Sequence, residues 1–189
     1  MIKTEVLVKL AAPDPWSFTV LDALRRKFGF EDIMDVQRTR SWELTLDLVS
    51  SDAAVAVTRE LLRTTALLAN PNRDVWVVRC GAGDLPEGFW YADTDEAGAF
   101  VVRVTDTDDI VGSSVAEILR SRLGMDSVMS VRFSTVWGLR ISGAESDARG
   151  LAARVATAKT WRSGLLANPH FQEAEVFGVG DYLARKGDR

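Results

Sequence analysis

Histidine and cysteine are almost missing from these 189 residues, which hold one of each, His170 and Cys80. A single cysteine excludes an internal disulfide framework and fits a reducing compartment, so a cytoplasmic location is expected. One thiol and one imidazole are too few for an ordinary zinc site. A nucleophile–base pair would have to be Cys80 with His170, at equivalent ends of two different segments, and no motif supports it. Long apolar runs are lacking too, none approaching the roughly 20 residues of a membrane span. Met1-Ile2-Lys3-Thr4-Glu5 leads straight into alternating apolar residues, so no signal peptide is expected. Positive charge is not in excess. Residues 1–80 hold 11 Lys/Arg and 11 Asp/Glu, residues 100–177 hold 9 and 9, and residues 81–99 hold five acids and no base. Neither balanced half suits a phosphate backbone, which argues against nucleic acid as a partner.

Gly81-Ala82-Gly83 lacks the strand–loop–helix context and the lysine of a phosphate loop, and reads as the start of a linker. Asp106, Asp108 and Asp109 read as a solvated loop before a helix N-terminus rather than as a metal site. No catalytic, cofactor-binding or metal-ligating residue is therefore assigned.

What is present is an internal repeat, the first thing to seek in a chain of this length. Leu67-Leu68-Ala69-Asn70-Pro71 recurs as Leu165-Leu166-Ala167-Asn168-Pro169, offset by 98. Upstream, Gly29–Leu44 matches Gly124–Leu139 at an offset of 95, pairing Met34 with Met129, Val36 with Val131 and Trp42 with Trp137. A three-residue insertion around Ser142–Asp147 accounts for the change. Two matches in one order at nearly one spacing indicate a duplication. The organisation expected is module 1 (1–80), an acidic and aromatic linker (81–99), module 2 (100–177) and a tail (178–189).

Each copy reads alike. Val6–Leu10 and Phe100–Val104 are short β-branched apolar runs, hence strands. Trp16–Phe28 has helical apolar spacing. The equivalent helix is expected to open at Ser114-Val115-Ala116-Glu117, a capping box, and both helices stop at a glycine, Gly29 and Gly124. Two strands are expected next, Ile33–Arg38 and Trp42–Val49, matched by Val128–Phe133 and Val136–Ser142. Second helices over Asp52–Leu68 (Asp52 as N-cap) and Asp147–Leu166 are expected to end at Asn70-Pro71 and Asn168-Pro169. Strands Asp74–Val78 and Glu173–Phe177 close the copies. The order β-α-β-β-α-β predicts an α+β fold of ferredoxin-like order, with antiparallel sheets, helices on one face and the two modules meeting as an intramolecular pseudo-dimer. The linker aromatics Phe89-Trp90-Tyr91 suggest that part of it docks onto a domain.

Asp14-Pro15, Gly29-Phe30, Asp35-Val36, Arg40, Glu43-Leu44 and Leu67–Pro71, with Gly124, Val131, Leu139 and Leu165–Pro169 in the second copy, resemble the PurS-type small subunit of phosphoribosylformylglycinamidine synthase. That family is usually about half as long, so this chain looks like two fused copies. Ser17 replaces the family's usual glycine, Thr39-Arg40 and Ser134-Thr135 replace its Gly-Lys hairpin, and the second copy has Asp106-Thr107-Asp108-Asp109 in place of Asp-Pro. The resemblance implies a non-catalytic role in purine biosynthesis, bridging a glutaminase subunit and an ATP-dependent synthetase subunit so that ammonia passes between them. Asp14, Pro15, Arg40, Asn70, Pro71, Asn168 and Pro169 are candidate partner contacts, with helix capping as the alternative for Asn70 and Asn168, and Trp42 and Trp137 are candidates for sheet packing or the module interface. The first copy is expected to carry the partner contacts and the second mainly the dimer surface. The competing reading is a tandem amino-acid sensor, because Asp109-Ile110-Val111-Gly112 resembles the Asp-x-x-Gly turn of ACT domains.

Overall fold

Alternation of apolar and polar residues sets the frame. In strand β1 (Ile2–Leu10), Val6 and Val8 point to one side while Glu5, Leu7 and Lys9 point to the other. The computed structural model describes residues 1–82, 89, 98–157 and 164–185. Among these the chain is α+β, with helices packed on one six-stranded antiparallel sheet of order β3-β1-β2-β5-β4-β6. The remaining strands are β2 (Ile33–Leu46), β3 (Asp74–Arg79), β4 (Ala99–Asp106), β5 (Val128–Ile141) and β6 (Gln172–Gly178). No described helix is long and apolar enough to cross a membrane.

The largest correction concerns the middle of each copy. Ile33–Arg38 and Trp42–Val49 are not two strands joined by a turn but one continuous strand, β2, and Val128–Phe133 with Val136–Ser142 likewise form β5. The element order of each half is thus β-α-β-α-β. The reason is local: Thr39-Arg40-Ser41 contains no glycine, proline or asparagine to supply a tight hairpin turn. The alternation also runs through it unbroken, with Val36, Arg38, Arg40, Trp42, Leu44 and Leu46 all on one face. The long strands pair along their length from Ile33↔Ile141 to Leu46↔Val128, with Arg40 opposite Thr135, the residue matched to it in the sequence.

Helix α1 (Pro15–Asp22) continues into one π-helical turn, Ala23–Lys27, and stops at Gly29, whose φ of 73° suits the left-handed position expected there; Gly124 has φ 63°. Helix α2 (Ser51–Thr64) is capped by Ser50, whose Oγ accepts from Ala53 N, so Asp52 lies inside the first turn rather than at the cap. Helix α3 (Ile110–Ser121) starts four residues before the expected capping box, at the N-cap Asp109. Helix α4 spans Glu145–Ala156 rather than Asp147–Leu166: Thr157 is already extended and bridges Ala167, and residues 164–167 are not helical, so Asn168-Pro169 ends no helix; residues 158–163 lie outside the described ones.

Asn70-Pro71 does not end a helix. The α2 helix stops at Thr64, and Leu68 and Ala69 then bury against the sheet, where Leu68 O accepts from Trp42 Nε1 at 3.0 Å. Asn70 shapes the turn into β3: its Oδ1 accepts from Asn72 N and its carbonyl from Arg73 N and Asp74 N. Asn168 repeats both contacts with His170 N and with the amides of Phe171 and Gln172. The doubled Leu-Leu-Ala-Asn-Pro string is a buried plug followed by a turn.

Three apolar clusters hold the layers. One joins Val20 and Leu24 of the first helical segment to Phe100, Val102, Trp137 and Leu139 and to Ala152 and Val155 of α4. The second joins Val6, Val8, Trp42 and Leu44 to Leu61 and Leu62 of α2 and to Val115 and Leu119 of α3. Each cluster therefore mixes the two halves of the sequence. The third lies on the opposite face of the sheet, where Leu7, Val101 and Val136 are covered by Phe89, Val179 and Tyr182. Helix α5 (Val179–Ala184) supplies this cover, so residues 178–189 are not merely a tail and helices do not occupy one face alone. Phe89 is buried, as docking of the linker predicts; Trp90 and Tyr91 lie outside the described residues.

Candidate functional site

Asp14 ends the loop after β1 and caps α1, with Pro15 at the first helical position, where its missing N–H costs nothing. Its carboxylate accepts from Trp16 N and Ser17 Oγ at 3.2 Å each, and takes a two-point contact from Arg38, Nε at 2.9 Å and Nη2 at 3.1 Å. Such fork-to-fork geometry fixes orientation as well as charge. Ser17 Oγ in turn accepts from Arg38 N at 3.0 Å, so the Asp-Pro loop is bolted to the middle of β2. The Trp16 ring lies 5.5 Å from the Arg38 guanidinium and is 61% exposed.

Two residues along β2, Arg40 pairs with Asp74 at the start of β3. The Asp74 side chain is wholly buried; its Oδ2 also accepts from Asn70 N at 2.8 Å, and Arg73 Nε lies 3.3 Å from Oδ1. Burial alone would raise the Asp74 carboxyl, but the Asn70 N–H, the Arg40 hydrogen bond and the charges of Arg40 and Arg73 outweigh it and hold the group below its ordinary value. Burial lowers the Lys9 ammonium, which disfavours its charged form; its Nζ sits 5.0 Å from the Phe89 ring.

A cleft of about 370 Å³ lies among these groups, with Arg38, Arg40 and Arg73 around it and Trp16 and Pro15 at its lip. A second hollow of about 250 Å³ adjoins it beside Phe18. The cleft is open, cationic and aromatic-edged, and no nucleophile stands beside a base in it among the described residues.

Of the candidate contacts, Asp14, Pro15 and Arg40 line this cleft; Asn70 reaches it through its backbone N–H on Asp74, and Pro71 is exposed on the neighbouring turn. Asn168 and Pro169 are not brought to it: they precede β6, at the opposite edge of the sheet from β3. Trp42 and Trp137 sit on the two long central strands but do not face each other. Trp42 pairs with Phe133, ring centroids 4.6 Å apart, and Trp137 pairs with Arg38. Cys80 and His170 also lie at opposite edges, and five strand spacings of about 4.8 Å put them roughly 24 Å apart. Asp109 is committed to structure, accepting from Gly112 N at 2.9 Å and Phe133 N at 3.0 Å, while Asp106 accepts from Gln172.

Trp16, Arg38, Arg73 and Asp74 were missed by sequence reasoning. The available signal was the comparison of the copies: at the offsets of the repeat, Arg38, Arg40, Arg73 and Asp74 become Phe133, Thr135, Phe171 and Gln172. The charge of the cleft belongs to the first half alone. Comparison with protein-family models gives no match, and comparison with curated proteins gives none either.

Proposed function

We propose that this chain is a non-catalytic assembly subunit of the PurS type, two fused modules acting as a built-in pseudo-dimer. In this reading it serves phosphoribosylformylglycinamidine synthase in the cytoplasm, bridging the glutaminase and synthetase subunits so that ammonia is handed over without loss to solvent. The observation that carries the reading is the β2–β5 pairing. Arg40 lies opposite its sequence match Thr135, as a two-fold axis through that pair requires, and each apolar cluster draws helices from one half onto strands of the other. A single module would leave β2 as an open edge.

The charged cleft supports an unequal division of labour, with partner contacts on Asp14, Arg38 and Arg40 and the plainer second copy completing the sheet. The Asp109-x-x-Gly112 turn that suggested an amino-acid sensor has a packing explanation: a Cβ on Gly112 would meet the Asp109 carboxylate and, at 2.5 Å, Val131 O.

The test is co-purification of the tagged chain with glutaminase and synthetase subunits from its own organism, with glutamine and magnesium-ADP present. A ternary complex with one copy of this chain per synthetase is expected. Arg40→Ala should weaken assembly more than Thr135→Ala; equal effects would remove the asymmetry. No complex, together with calorimetric binding of a free amino acid, would replace the reading by the sensor.

A further inference from the structure

The opposite face of the sheet carries charges that nothing above uses. Lys3, Glu5, Glu43, Arg79 and Arg103 come from β1, β2, β3 and β4, all on the side covered by α5. They surround a cavity of about 50 Å³, closed on one side by Tyr182 and Arg185. Arginine inside a strand that otherwise reads Phe-Val-Val-Arg-Val is costly to bury, yet the Arg103 and Arg79 side chains are only 8% and 6% exposed.

The hydrogen bonds around them are incomplete. Glu5 is nearly saturated, accepting from Ser41 Oγ at 2.7 Å and from the Tyr182 hydroxyl, with Arg79 Nη1 at 3.5 Å. Arg79 Nη2 donates to Leu183 O and Arg103 Nε to Ser134 Oγ. Arg79 Nε and Arg103 Nη2 have no hydrogen-bond partner among the described residues, although both atoms are buried. Arg103 Nη2 has only a long ion pair, 3.7 Å to Glu43, and Lys3 reaches the same carboxylate at 3.8 Å. Four cations face two carboxylates around the cavity, and Glu175 approaches Arg185 at 3.9 Å from outside it. Among the described residues the strand-borne groups alone, Lys3, Arg79 and Arg103 against Glu5 and Glu43, leave one positive charge in excess.

We propose that this cavity binds one small free oxyanion of phosphate or sulfate size, held between Arg79 and Arg103. The space admits about four water-sized spheres at 10–15 Å³ each, enough for a tetrahedral anion but not for an organic ester. Water would satisfy the two nitrogens but leave the charge uncompensated, whereas an oxyanion does both. The site is composite, since Arg79 and Glu5 come from the first half of the chain and Arg103 and Tyr182 from the second. An anion there would tie β3, β1, β4 and α5 together.

The test uses the full chain and inorganic phosphate. Equilibrium dialysis with radiolabelled phosphate should saturate at one site per chain. The midpoint of thermal unfolding should rise with phosphate or sulfate, but not with chloride at equal ionic strength. Arg103→Gln and Arg79→Gln should each weaken phosphate binding at least tenfold, while Arg38→Gln, on the other face, should not. Glycerol 3-phosphate should bind at least tenfold more weakly than phosphate. Absence of saturation in the unaltered chain overturns the proposal without any variant, so a misfolded Arg103→Gln does not rescue it. Equal stabilisation by chloride, unchanged affinity in folded arginine variants, or equal binding of the ester would overturn it too.

Discussion

Proline in place of Ser41 distinguishes a continuous central strand from a hairpin turn. Ser41 is fully buried and paired on both sides, with Leu7 of β1 and Ser134 of β5, so whichever way its N–H points it serves a ladder. Proline removes that donor and strands a buried carbonyl, a penalty of about 1–3 kcal/mol. It also deletes the hydroxyl that donates to Glu5 at 2.7 Å, a hydrogen bond to a charged group, for about 1.5–3 kcal/mol more. Ser41→Ala isolates the second loss. Ser41→Pro should therefore cost about 2.5–6 kcal/mol and Ser41→Ala about 1.5–3 kcal/mol, against a total stability of about 5–15 kcal/mol for a protein domain. Urea unfolding followed by tryptophan fluorescence, extrapolated linearly, measures both. In a solvent-facing turn proline would cost little or stabilise by restricting the unfolded chain. A Ser41→Pro variant within about 1 kcal/mol of Ser41→Ala would refute the continuous strand.

Asp74→Ala removes the acceptor shared by Arg40 and Asn70 N and should cost about 2–3 kcal/mol at neutral pH, after allowing for the one-third exposure of Arg40. Because the Asp74 carboxyl is held below its ordinary value, its contribution is present above about pH 4 and is lost as pH falls through the folded-state value. The gap between parent and variant in urea midpoint should accordingly narrow in acid; a constant gap would contradict the assignment. Tyr182 is held well above the ordinary phenol value, first by burial and then by the Glu5 charge and hydrogen bond. Its stabilisation is complete below about pH 10 and is lost as pH rises through the folded-state value. With Tyr91 replaced by phenylalanine, an ultraviolet titration should show no native phenolate near pH 10, and one appearing there would defeat the burial argument.

The strand and helix periods and the glycine stops at Gly29 and Gly124 were legible in the amino-acid order, because each depends on near neighbours. The error at Thr39-Arg40-Ser41 was also decidable locally: the family pattern suggested a turn, while the residues lack turn chemistry and keep the strand alternation in phase. The helix starts at Ser50 and Asp109 slipped for a smaller reason, since several serines and aspartates compete for each cap and only backbone geometry selects one.

Nothing local says which strand β2 will lie beside. That depends on which edge and which apolar face each half leaves uncovered, and the answer pairs residues about a hundred positions apart in sequence. The same holds for Arg38 beside Asp14, Arg40 beside Asp74, and Arg79 near Arg103 beneath α5. The sequence by itself determined the period of each element, because that follows from residues within a few positions of one another. The tertiary structure alone decided which charges share a cleft or a cavity, because that is set by burying apolar surface across the whole sheet.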